Sequence, residues 1–153
     1  MKIVKNEKKY ASKCLALARD LTEHFTPSTM KHLSADLQSD LLYAALDDVK
    51  NVTGFLCLRR VNAQAAEVTW LAVARNNWDR GPGADLLARA AGDAKGKGAR
   101  LLVAKLLSPG AEYKPYEKTW SFYEKQGFMV VDTINPYPGW EPGQACAIFV
   151  KVL

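Results

Sequence analysis

Polar and apolar positions alternate with different periods along this chain, and each change of period marks an element. KIV near the start has the length of a short strand. In NEKKYASKCLALARDL, Tyr10, Cys14, Leu17, Ala18 and Leu21 recur at three- and four-residue spacing, which predicts an amphipathic helix. FTPSTMKHLSADLQSD offers Thr26 as a helix cap, Pro27 as the first helical residue and Met30, Leu33 and Leu37 as an apolar stripe. LLYAALD and VTGFLCLRR then read as two strands around the polar turn DVKN, a hairpin. AEVTWLAVA is a third strand.

After a glycine loop, ADLLARAAGDAKGKG places Leu86, Leu87, Ala90, Ala91 and Ala94 on one helical face, with Gly96 or Gly98 as the stop. ARLLVAKLL is almost continuously apolar, the pattern of a strand covered on both faces. Strand, loop, helix and strand make a right-handed crossover, so AEVTWLAVA and RLLVAKLL are expected to run parallel. PYEKTWSFYEKQGF follows as a helix entered at Pro115 and ended at Gly127, and FMVVDTI and ACAIFVKVL close the chain around NPYPGWEPG. The reading is α/β, antiparallel early with one parallel pair near the middle. With no repeat, low-complexity tract or long linker, residues 1–153 are expected to form a single domain.

Composition changes this picture little. No apolar run approaches the roughly 20 residues a membrane helix needs, and the N-terminal stretch lacks the apolar core of a secretory signal, so a cytoplasmic protein is expected. Cys14, Cys57 and Cys146 are odd in number and lack ligand spacing; with His24 and His32 also isolated, no metal is expected. The net charge of +5 favours anionic partners without choosing among them. No RNA-binding aromatic signature or zinc finger accompanies it, so nucleic acid is disfavoured as a partner.

The candidate chemistry begins at WDRGPGADLL, residues 78–87. A loop between a strand end and a helix start presents unpaired N–H groups and the positive end of the helix dipole, a site suited to phosphate. Gly81 and Gly83 permit positive φ and close backbone approach, and Arg80 adds charge. The alternative is a plain tight turn with incidental glycines. GPGADL lacks the third glycine and the later acidic residue of a dinucleotide fingerprint, and no Gly-Lys-Ser/Thr makes it a Walker loop.

AEVTWLAV, GPGADLL, a helix, a strand and YEKQGF (Tyr123 to Phe128), in that order, resemble the GNAT acyltransferase superfamily over nearly the whole chain. KPYEKTWSFYEKQGF is similar to a bacterial subgroup with a Tyr-x-Lys-Thr-x-x-Phe-Tyr-Glu helix. The resemblance implies a mixed, mostly antiparallel sheet of six to seven strands, a splayed parallel central pair and about four helices. It implies acetyl-CoA as carrier, its pyrophosphate held by N–H groups of Asp79, Arg80, Gly81, Gly83 and Ala84. Pantetheine would run beside the backbone of Leu71, Ala72 and Val73, with an N–H near Val73 supporting the oxyanion. Three positions depart from the family pattern. Trp78 stands where an Arg or Gln anchor is usual, and Pro82 removes one donor. Tyr116 replaces a cofactor-contacting Asn, and lines either the core or the cofactor.

Acyl transfer to an amine needs a proton acceptor, because an amine of pKa ~10.4 is on the order of one part in a thousand neutral at pH 7. Glu67 is the expected base. In a regular strand it shares a face with Thr69, Leu71 and Val73 and lies ~13 Å from Leu71, so a water would bridge; the bland alternative is a solvent-facing glutamate. His24 and Glu141 are weaker candidates. Tyr116, Trp120 and Tyr123 share one helical face, a pattern of core aromatics; the family match makes Tyr123 the acid for the departing thiolate. Trp140 and Glu141, in the loop between the last strands, would wall the acceptor.

The expected function is therefore an N-acetyltransferase acting by direct attack on a small-molecule or protein amine, with a homodimer compatible with the resemblance. Two alternatives stay open. A non-catalytic acyl-CoA-binding module is motivated by Trp78, Pro82 and the missing Asn, and an aminoacyl-tRNA-acetylating toxin by the charge.

Overall fold

A computed structural model describes residues 1–153. The elements run β1 (Lys2–Lys5), α1 (Ala11–Arg19), α2 (Pro27–Ser39), β2 (Leu41–Leu46), β3 (Val52–Arg60), β4 (Ala65–Val73), α3 (Pro82–Gly96), β5 (Leu101–Leu107), α4 (Glu117–Lys125), β6 (Met129–Ile134) and β7 (Cys146–Val152). Seven strands form one sheet in the order β1-β2-β3-β4-β5-β7-β6. Only β4 and β5 run parallel; every other neighbouring pair is antiparallel.

Local chemistry fixes the elements much as the pattern predicts. The Thr26 side chain accepts a hydrogen bond from the Thr29 N–H, and Pro27 opens α2 at a position whose N–H would have no helical partner. Gly98, at φ +89°, and Gly127, at φ +91°, supply the left-handed residues that end α3 and α4.

Two cores flank the sheet. On one face, Leu86, Leu87, Ala90 and Ala94 of α3 and Trp120 and Tyr123 of α4 pack on Leu56, Val68, Leu102, Ala104 and Phe149. On the other, α1 and α2 bury Cys14, Leu17, Leu33 and Leu37 against Leu42, Phe55, Cys57 and Ala72. Fully burying each such leucine contributes about 1.5–3 kcal/mol.

The expectation that β5 is covered on both faces holds for one face only. Leu102 and Ala104 are buried under α3 and α4, whereas Leu101, Val103 and Lys105 are half-buried. Helix α1 packs on β3 and β4, so the opposite side of β5 is left to loops. That is why a lysine fits in an otherwise apolar strand.

Candidate active site

The sheet opens at its centre. β4 and β5 pair only through Ala65–Val68 and Leu101–Ala104, and beyond these residues neither strand has a partner across the gap. β5 instead follows β7 along its whole length. A bulge at Thr69, which falls between the pairs Cys57–Trp70 and Leu58–Val68, adds local twist to β4 and turns it away. The Trp120 indole N–H of α4 donates to the Leu107 carbonyl at 2.7 Å and holds the other lip of the wedge.

The same bulge corrects the expected face of Glu67. Thr69 points to the α2 side, its hydroxyl donating to Asp40 Oδ2 at 2.7 Å, and Glu67 lies on that side too. Past the bulge the alternation resumes one residue out of step. Trp70 and Ala72 therefore face α1 and α2, while Leu71 packs against the α3/α4 core.

At the mouth of the wedge, residues Arg75–Arg80 form a 3-10 turn, and α3 starts at Pro82 rather than after the second glycine. Both glycines have a backbone reason. Gly81 sits at φ +83° with nothing within 4 Å of the position a Cβ would take, so space above it is open. At Gly83 a Cβ would lie 3.3 Å from Val73 Cγ2 and 3.5 Å from the Phe122 ring, so this glycine lets α3 and α4 close on the end of β4. The five expected donors fall into two groups. Asp79 and Arg80 lie inside the turn, whose i to i+3 pattern uses such N–H groups. Gly81, Gly83 and Ala84 remain at the cap and first turn of α3, where helices leave donors free. Pro82 occupies N1, so the donor it lacks is one a helix does not use itself.

Trp78 does not leave its position without a polar anchor. Its indole N–H donates to the Val73 carbonyl at 2.7 Å, and the Arg75 guanidinium and the Lys118 ammonium flank its ring at 5.5 and 5.4 Å. A cleft of about 220 Å³ beside it is lined by Glu23, His24, Lys114, Pro115, Glu117 and Lys118 as well as Trp78. A larger cavity, about 390 Å³, lies by β1 and away from the wedge.

Tyr123 is buried among Phe122, Phe128 and Phe149, at ring separations of 5.4, 5.1 and 6.1 Å. Burial first, and the neighbouring Tyr116 second, push its hydroxyl pKa well above the ordinary value of 10. Such a phenol stays protonated at neutral pH, and the same shift makes it a weaker acid than an ordinary tyrosine. Tyr116 is half-buried, 4.9 Å from the His24 ring and 6.1 Å from Trp120. His24 Nε2 lies 3.1 Å from the Pro115 carbonyl oxygen, whereas Nδ1 is buried without a hydrogen-bond partner, 3.6 Å from Glu23.

Glu67 is buried, only 6% exposed, and not the solvent-facing residue of the bland reading. Its Oε1 meets two cations, Lys105 Nζ at 3.3 Å and Arg59 Nη2 at 3.4 Å. Lys105 in turn lies 5.7 Å from the centre of the Tyr137 ring. Tyr137 and Trp140, 5.3 Å apart, form the aromatic part of the loop between β6 and β7, and Glu141 is exposed beside them. Arg59, Lys105 and Tyr137 escaped the sequence reading. A lone lysine in LLVAKLL was the available signal for one of them, and hairpin register, which sets Arg59 opposite Glu67, for another.

The chain belongs to the GNAT acetyltransferase family: the family model described as an acetyltransferase (GNAT) domain matches residues 38–130, more than half of its length. Solved structures agree on the fold. A GNAT-family protein from Desulfovibrio desulfuricans is 20% identical and superposes with a TM-score of 0.82, covering 99% of each chain. An aminoglycoside 6'-N-acetyltransferase complexed with coenzyme A is 18% identical over 99% of this chain and 97% of that one, with a TM-score of 0.76. A GNAT acetyltransferase from Elizabethkingia anophelis with acetyl-CoA bound is 23% identical over 80% of this chain and 82% of that one, with a TM-score of 0.64. None of the curated proteins matches significantly. No helix is long and apolar enough to cross a membrane.

Proposed function

We propose that this chain transfers an acetyl group from acetyl-CoA to a primary amine by direct attack in a ternary complex. The observation that carries the reading is the wedge between β4 and β5, which has a protonated phenol on one side of the sheet and a carboxylate on the other. Acetyl-CoA is consistent with the family and with two of the structural neighbours, which hold it or coenzyme A. The residues present fit it: Gly81, under open space, and Gly83 and Ala84, in the first turn of α3, offer N–H groups without a helical partner, and the stretch of β4 that is unpaired toward β5 offers its backbone. When bound, this carrier supplies an activated acyl thioester.

The chain's own residues do the rest. Glu67, through a water, takes the proton that makes the amine nucleophilic. Tyr123 holds a proton for the departing thiolate; with a thiol pKa near ~8.5 only modest help is needed. The loop with Tyr137, Trp140 and Glu141 stands on the acceptor side, above β5.

Thiol release from acetyl-CoA over a broad panel of amines tests the proposal. Wild type should turn over at least one acceptor class, and Tyr123→Phe should lower kcat about 10²-fold with carrier affinity unchanged in calorimetry. A second reading, a non-catalytic acyl-CoA-binding module, is favoured by the Trp78 indole standing on the Val73 carbonyl, where pantetheine would bind. Tight carrier binding with no thiol release across the panel would select it.

A further inference from the structure

Two cations on one carboxylate oxygen are more than burial alone explains. Glu67 sits opposite Arg59 on β3 and Val103 on β5, and Lys105 follows Val103 by two residues on the same face. Both nitrogens approach Oε1, at 3.3 Å from Lys105 and 3.4 Å from Arg59, and the one hydrogen bond the Glu67 side chain accepts, from Arg59, also goes to Oε1. A carboxylate this buried is costly without partners, and one cation would reduce that cost. Two on the same atom also fix the side-chain rotamer, and leave the second oxygen with its lone pairs uncommitted to the protein.

The two cations are not equivalent. The Arg59 side chain is 49% exposed; that of Lys105 is 33% exposed. Lys105 also has the Tyr137 ring against it. Burial of Lys105 works against its charge, but the Tyr137 hydroxyl and the Glu67 carboxylate outweigh that and raise its pKa above the ordinary value. Lys105 therefore stays an ammonium wherever the enzyme works. The other titratable groups about the cluster are the Cys146 thiol on β7, which feels both Lys105 and Glu67, and Asp40 at the end of α2, which feels Arg59.

We propose that Lys105 is a positioning residue for the acceptor-side base: it clamps Glu67 Oε1 so that Oε2 is presented to the water or amine, and Tyr137 of the acceptor loop holds Lys105 in place. The inference rests on Glu67 acting as the base. It adds that the base is set from β5 and from the acceptor loop, by a residue touching neither carrier nor acceptor.

The test is the pH dependence of kcat and kcat/KM for wild type, Lys105→Met, Lys105→Arg, Tyr137→Leu and Glu67→Gln, with KM for acetyl-CoA measured alongside. With the cation 3.3 Å from Glu67 Oε1 removed, the acidic limb of the Lys105→Met rate profile should move upward. Its kcat should fall roughly 10-fold at neutral pH, with carrier KM unchanged. Lys105→Arg should restore most of both. Tyr137→Leu, a loop change that leaves the sheet intact, should move the limb the same way by less, and keeps the test open if Lys105→Met folds poorly. An unshifted limb in both Lys105→Met and Tyr137→Leu, with Glu67→Gln still lowering the plateau and flattening the limb, overturns the positioning role alone. Glu67→Gln with wild-type kcat and profile overturns the base reading beneath it.

Discussion

The two faces of the sheet solve opposite problems for the two groups we propose to handle protons. On the α3/α4 face Tyr123 stands in aromatic surroundings, where Phe122, Phe128 and Phe149 exclude water and keep its hydroxyl neutral. On the other face Glu67 is almost as buried but is surrounded by charge, with Lys105 and Arg59 on one oxygen. Burial by itself favours the neutral form of both groups. The dry aromatic setting holds the Tyr123 proton in place, whereas a carboxylate in an equally dry place needs cations beside it. The sheet keeps the two environments apart.

The largest effects should separate the two faces by pH. Tyr123→Phe should cost about 10²-fold in kcat at every pH from 6 to 9, because a phenol whose pKa is raised above 10 is protonated throughout that range and its loss is a constant factor. The sign matters. A raised pKa moves loss of the proton to higher pH, so no alkaline fall in rate below pH 10 belongs to this residue. Glu67→Gln should instead flatten the acidic limb while lowering the plateau. Matching pH profiles for the two variants would erase the contrast between the faces.

Sequence reading reached one face further than the other, for a physical reason. Tyr123 is placed by a local repeat: Tyr116, Trp120 and Tyr123 share a helical face, and the helix ends at a left-handed Gly127. The cap at Thr26, the hairpin and the crossover are local in the same sense. The surroundings of Glu67 come from three strands and a loop. Arg59, Lys105 and Tyr137 lie 8, 38 and 70 positions away along the chain. The bulge at Thr69, which decides which residues share its face, arises from pairing between strands and leaves no mark in the apolar period of AEVTWLAV. Trp78 was legible as a departure from the family pattern, but not the hydrogen bond that its indole makes to Val73.

A middle-sized effect belongs to the lip between the faces. Trp78→Phe keeps the aromatic ring between Arg75 and Lys118 and removes the N–H on the Val73 carbonyl. If pantetheine uses that carbonyl, the phenylalanine variant should bind coenzyme A several-fold more tightly by calorimetry, since one hydrogen bond is worth about 0.5–1.5 kcal/mol. Equal or weaker affinity would make the indole a support of the wedge rather than a competitor for it.

The smallest effect tests whether exposure, rather than charge count, decides how a cation serves Glu67. Arg59 and Lys105 approach the same oxygen at nearly the same distance, so an argument from distance alone gives them equal weight. Water screens the half-exposed guanidinium; the more buried ammonium, covered by Tyr137, is screened less. Arg59→Met should therefore lower kcat by no more than about 3-fold and shift the acidic limb by less than half the shift of Lys105→Met. That smaller shift should shrink further between ~0.05 and ~0.5 M salt, because screening already weakens the wild-type contribution of Arg59. Equal shifts for the two variants, insensitive to salt, would mean that both cations act through the interior and that the asymmetry between them has no consequence.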